Sequence, residues 1–179
     1  MIFTEINRVT TRARTSSGLT SFVHRSVLPA GAAEVFAWHE RPEALRALLP
    51  ASRFVRILQP TGGVRDGARV VFAVGVGRLR LVWEAVHYGY VEGAQFCDEQ
   101  VRGPFRAWRH AHVVQPLGDD ASALEDRIEF AAPGGRLLRR LVDPVVKKML
   151  TSAFARRHAV TRRQLLAARG RATAAGGRP

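Results

Sequence analysis

Residues 95–131 read QFCDEQVRGPFRAWRHAHVVQPLGDDASALEDRIEFA, and the fold is decided there. Three runs, Gln95–Arg102, Phe105–Gln115 and Ser122–Ala131, alternate apolar with polar residues. They are punctuated by Gly103-Pro104 and by Gly118-Asp119-Asp120, which is the pattern of consecutive antiparallel strands joined by short turns. Alternate residues of a strand share a face. In the third run Leu124, Ile128 and Phe130 share one face and Glu125, Arg127 and Glu129 take the other. The apolar set must be the interior, and Asp126 falls on it. A tight turn at Gly103-Pro104 sets Gln100 opposite Trp108, Asp98 opposite His110 and Phe96 opposite His112. A turn centred on Asp119-Asp120 sets Val114 opposite Leu124, His112 opposite Asp126 and His110 opposite Ile128. Directly opposed side chains stand about 4.5–5.5 Å apart at Cβ. The register therefore predicts two acid–imidazole pairs, Asp98 with His110 and Asp126 with His112, on the interior face beside Trp108 and Gln100.

Working outward, Leu19–Leu28 reads as a strand ending at Pro29. Gly31–His39 and Arg41–Leu49 read as two short helices, the second closed by Pro50. Phe54–Leu58, Arg69–Gly75 and Arg78–Tyr88 complete seven strands. After Pro133-Gly134-Gly135 a long helix is expected from about Arg136 to Ala168. Its expected apolar stripe is Leu138, Leu141, Val142, Val145, Met149, Ala153 and Phe154, with a kink or break at Pro144. The predicted class is α+β: a curved seven-stranded antiparallel sheet around one long C-terminal helix, with the two short helices plugging the open end. A sheet wrapped around one helix leaves unfilled interior, so a cavity is expected. The expected organisation is one domain over 19–169, between disordered tails at 1–18 and 170–179.

The 179 residues suffice for one substantial core. No apolar run reaches the roughly 18–20 residues a membrane-spanning helix requires. The N-terminus has no apolar leader, and a cytoplasmic location is the default expectation. Cys97 is the single cysteine, which excludes a disulfide framework and a cysteine metal cluster. The net charge of +13 is uneven: residues 135–179 hold twelve basic residues and one acid, Asp143. The basic residues arrive in pairs, Arg139-Arg140, Lys147-Lys148, Arg156-Arg157 and Arg162-Arg163. A solvated helix face accounts for them; contact with an anionic membrane surface is the functional alternative. No base-reading motif accompanies the charge, so nucleic acid is not the expected partner.

The segment VLPAGAAEVFAWHERPEALRALLP (27–50) resembles the START-like, or SRPBCC, superfamily, whose first strand runs into a pair of short helices. The alanine-proline that opens that motif stands here reversed, as Pro29-Ala30. The runs FCDEQVRGPFRAWRHAHVV and LEDRIEFAAPGGRL look like a bacterial branch related to polyketide cyclases and dehydratases. The resemblance spans about Phe22 to Leu166. It implies a helix-grip fold with a deep hydrophobic cavity, binding of lipids, hormones or polyketides, and in some members cyclisation or aromatisation. It implies no universal catalytic motif, and fold alone does not establish activity.

The expected ligand-contacting set is Phe96, Asp98, Gln100, Trp108, His110, His112, Leu124, Asp126, Ile128 and Phe130. Within it His110, His112, Asp98 and Asp126 have three readings. They are a mutually satisfied buried cluster, the polar end of a ligand pocket, or general acid–base groups. The His110-x-His112 spacing with Asp98 or Asp126 also suits a metal, but such pairs are frequent by chance, and the sequence expectation is no metal and no cofactor. Phe36, Trp38, Phe72 and Trp83 read as core before ligand contacts. His39 reads as the end of the first short helix, His158 as part of the basic helix, and His24 and His87 as strand residues of unassigned facing.

Overall fold

The structure, a computed structural model, describes residues 18–49, 55–59 and 62–176. The expected N-terminal tail and the start of the second strand at Phe54 lie outside the described residues. The elements run β1 (Thr20–Leu28), α1 (Ala32–Glu40), α2 (Ala44–Leu48), β2 (Val55–Gln59), β3 (Arg69–Val74), β4 (Leu81–Val91), β5 (Gln95–Arg102), β6 (Ala107–Gly118), β7 (Ala121–Ala131) and α3 (Arg136–Gly176). The strands form one antiparallel sheet in the order β1-β7-β6-β5-β4-β3-β2. Hairpins join β2 through β7, and β1 returns to pair with β7.

The short turns set the central register as the sequence predicts. Asp98 opposes His110 and Phe96 opposes His112. His112 opposes Asp126 and His110 opposes Ile128. The β5–β6 ladder ends at Glu99 and Arg109, one step short of Gln100. That side chain instead clasps the turn: its amide donates to the Phe105 carbonyl at 2.7 Å, and the Phe105 N–H donates back to it at 3.3 Å.

The two short helices cap one end of the concave face. Val35, Phe36 and Trp38 of α1 and Ala44 and Leu48 of α2 pack with Leu28, Phe96, Val114 and Leu124 of the sheet and Val160 and Leu165 of α3. Gly31, which precedes α1, lies so close to the β6–β7 turn that a Cβ there would stand 2.5 Å from the Asp119 carbonyl oxygen. A second apolar cluster, Phe22, Trp108, Ile128, Phe130 and Phe154, lies further along the groove.

The last helix departs from expectation in three ways. It is continuous through Pro144, which sits on the exposed side, where the carbonyl that loses its donor faces water. It runs to Gly176, into the stretch read as tail. Near that end Arg169 reaches across to Glu34 of α1 at 2.9 Å. The buried stripe is also different. Of the expected stripe Phe154 is buried, but Leu138, Leu141, Val145, Met149 and Ala153 are exposed, Leu141 at 70% and Met149 at 67%. The residues turned inward are Leu150, Phe154, His158, Thr161 and Leu165, which also recur every three to four positions. Two stripes on one helix satisfy the same period, and the sheet covers the second.

Candidate functional site

Each of the six histidines of the chain stands in or beside one layer between the two apolar clusters, and strand pairing explains most of this. One cross-strand row runs His24 on β1, Asp126 on β7, His112 on β6, Phe96 on β5. The next runs Ile128 on β7, His110 on β6, Asp98 on β5, His87 on β4. His158 reaches in from α3 and His39 from the end of α1. His39 lies 6.4 Å from His112, and His158 lies 4.6 Å from His24, between ring centroids.

Asp126, 2% exposed, is the hub. Its Oδ1 accepts from His110 Nε2 at 2.8 Å and from His112 Nδ1 at 2.6 Å, while Oδ2 accepts from His158 Nε2 at 2.5 Å. The remaining nitrogens of His110 and His112 point to the other carboxylate: His110 Nδ1 is 3.1 Å and His112 Nε2 is 3.7 Å from Asp98 Oδ2. Each imidazole of this pair thus bridges two acids. Phe96 stacks on His112 at 4.2 Å. Phe154 stands edge-on to His110 at 5.2 Å.

The electrostatics follow from this geometry. Burial opposes ionisation of Asp98, but His110 and His112 outweigh it and hold the carboxyl below its ordinary range. Asp126 is held well below that range: burial again opposes, and His112, His110 and His158 prevail. Burial depresses His110 in turn, yet Asp98 and Asp126 raise it above its usual value. His39 lacks a carboxylate partner. Burial lowers it to about 4, and its Nδ1 lies 2.8 Å from the Val35 carbonyl. His87 is also lowered, chiefly by burial.

Beside this layer opens a cavity of about 590 Å³, within the range typical of small-molecule sites. One wall is mainly apolar, from Leu45, Leu48 and Leu49 of the plug to Val70, Phe72, Val74, Trp83 and Ala85 of β3 and β4, with His87 of β4 its polar member. The other carries Phe96, Asp98, Trp108, His110 and His112, with Phe154 and Arg157 descending from α3. Of the residues expected from sequence, those five reach the cavity. Asp126 stands behind the two histidines. Leu124, Ile128 and Phe130 are buried in the packed clusters on either side, and Gln100 is spent on its turn. Phe72 and Trp83, read as core, line the cavity, whereas Phe36 and Trp38 are core.

Sequence reasoning missed His24, His39, His87 and His158 as neighbours of the site. His87 was hidden by an irregularity between Tyr88 and Val91 that breaks the β4–β5 register count. No local turn links β1 to β7, so nothing in the sequence placed His24 beside Asp126. His158 had a signal in the second helical stripe, Leu150-Phe154-His158-Thr161-Leu165, which is as periodic as the one preferred.

Among the described residues, Asp98, His110 and His112 are the group whose ligand atoms converge, all within 4.8 Å of one another. No helix among them is long and apolar enough to cross a membrane.

No family model matches the sequence and no curated protein matches it, but solved structures do. Norcoclaurine synthase from Thalictrum flavum superposes with a TM-score of 0.65 at 16% identity, covering 84% of this chain and 96% of that one. A START superfamily protein from Mycobacterium smegmatis gives 0.58 at 16% identity, over 83% and 97%. The Zhui aromatase/cyclase from Streptomyces sp. R1128 gives 0.58 at 15% identity, over 89% and 98%. At these identities the likeness is one of architecture: the chain shares the helix-grip fold of these structures.

Proposed function

We propose that the chain binds a small, largely apolar molecule, lipid- or polyketide-like in character, in the cavity between α2, β3–β6 and α3. The carrying observation is the asymmetry of that cavity: mainly apolar from α2 across β3 and β4, with Asp98, His110 and His112, and His87 beside Asp98, gathered at one end. Such a site takes an apolar body and orients one hydroxyl or carbonyl. Titration with an apolar fluorescent probe, read through Trp83 and Trp108, should saturate at one probe per chain. Ala85→Trp, placed to fill the cavity, should abolish that binding. A folded Ala85→Trp protein that binds the probe unchanged would refute the assignment of the cavity.

A second reading is acid–base catalysis of a cyclisation or dehydration. It is favoured by the access of His110 and His112 to the cavity; neither is walled off by Trp108 or Phe96. The test is turnover of a linear polyketide-type substrate. His112→Ala should remove turnover with retained probe binding if the site is catalytic, whereas a plain binding site shows no turnover in either protein.

The exposed stripe of α3 supports a place for loading at an anionic bilayer. Leu137, Leu138, Leu141, Val145 and Met149 are exposed beside Arg140, Lys147 and Lys148, an apolar face bordered by cations. Sedimentation with phosphatidylserine vesicles should capture the protein and lose it as salt rises. Equal capture by neutral vesicles, or none by anionic ones, counts against membrane contact.

A further inference from the structure

We infer that Asp98, His110 and His112 form a binding site for one divalent first-row transition-metal ion, with Asp126 as its outer-sphere carboxylate. Asp126 fixes the arrangement. It is a buried acceptor with three imidazoles around it, and it takes the Nε2–H of His110 and the Nδ1–H of His112. Those bonds choose the tautomers. In the neutral rings the lone pairs then sit on His110 Nδ1 and His112 Nε2, and both face Asp98 Oδ2, at 3.1 and 3.7 Å.

Three electron-pair donors directed at one point need a cation between them: a proton on His110 Nδ1, which bridges the ring to Asp98 in the metal-free protein, or a metal ion that displaces it. Donor atoms bound at about 2.0–2.1 Å to a tetrahedral zinc stand about 3.3 Å apart, and the two observed spacings bracket that value. Metal-bound histidines characteristically give their other N–H to a carboxylate, which orients the ring and strengthens it as a ligand. Here a single carboxylate does this for both rings. All three ligands lie on the cavity wall, so a further coordination position faces the space where a small molecule would sit. That is the plan of a reactive metal site rather than a closed structural one. Two imidazoles and one carboxylate suit zinc or ferrous iron; calcium and magnesium prefer all-oxygen shells. The site departs from the metal-free expectation of the sequence, and its test involves the metal alone, independent of any organic ligand.

The experiment takes the full chain, strips it with a chelator and titrates it with Co²⁺. One Co²⁺ per chain should bind with visible absorption of a low-coordinate nitrogen–oxygen site, displaced by Zn²⁺ and not by Mg²⁺ or Ca²⁺. Asp98→Asn and His112→Gln should abolish stoichiometric binding. Asp126→Asn should weaken it about 10- to 100-fold, and His24→Ala, a histidine of β1 that does not line the cavity, should retain it. Should the triad variants fail to fold, imidazole ¹⁵N spectra of the wild-type chain with and without Zn²⁺ decide. Shifts at Nδ1 of His110 and Nε2 of His112 support the site. Shifts confined to other histidines, no bound Co²⁺, or undiminished binding in a folded Asp98→Asn protein overturn it.

Discussion

The two halves of α3 are built on the same period and do opposite things. From Leu137 to Met149 the helix turns its large apolar side chains to solvent. There it holds the sheet mainly through Val146, Leu150 and the Asp143 carboxylate, which accepts from the Thr20 hydroxyl. From Phe154 to Leu165 it buries Phe154, His158, Val160, Thr161 and Leu165 against the concave face and the plug. A histidine and a threonine are thus inside while leucine and methionine are outside. Hydrophobicity does not rank these positions; what lies beneath them does. Under the second half stand Asp126, which needs donors, and the apolar side of α1.

The sharpest way to break this contrast is to truncate one residue from each half. Phe154, 3% exposed, packs 5.8 Å from Phe22 and 5.2 Å from His110. Phe154→Ala should cost about 3–5 kcal/mol in denaturant unfolding. Comparable loss from Met149→Ala would mean that the first half is covered after all.

The second test uses pH. His39 faces His112, Asp126 and Arg157, the last from the buried half of α3, and accommodates no charge easily. Its folded value of about 4 lies below the ordinary 6.5. The unfolded chain therefore binds the proton first, and stability falls as pH drops from 6.5 toward 4, by on the order of 3 kcal/mol. His39→Leu should flatten that limb relative to wild type in melts at stepped pH. His110 works in the opposite sense: its raised value stabilises the fold below 6.5 and is lost as pH rises through the folded value.

A smaller effect is expected at His158, whose Nε2 donates to Asp126 Oδ2. His158→Ala strips one of three donors from a buried carboxylate and should cost about 1–3 kcal/mol, read by the same denaturant midpoint. No loss would show that His110 and His112 alone satisfy Asp126. Least of all should follow from Met149→Ser, within about 0.5 kcal/mol in stability, while vesicle binding weakens if the exposed stripe meets lipid.

Sequence alone determined the register of β5, β6 and β7, and with it the two acid–imidazole pairs. Turns of a few residues leave opposed positions almost no freedom, and a one-residue slip would have turned Leu124, Ile128 and Phe130 to solvent. The class of fold was legible for the same reason, from strand spacing, the Pro-marked short helices and a long terminal helix. Only the tertiary structure decided the remainder. It brought His24 to Asp126 through a pairing with no connecting turn, and His87 to Asp98 across an irregular hairpin. It also chose between two equally periodic stripes of α3. Periodicity specifies that a helix has a face, but the partner surface, assembled from residues distant in the chain, selects which face is buried. That selection delivers His158 to the carboxylate and leaves Leu138 and Leu141 outside.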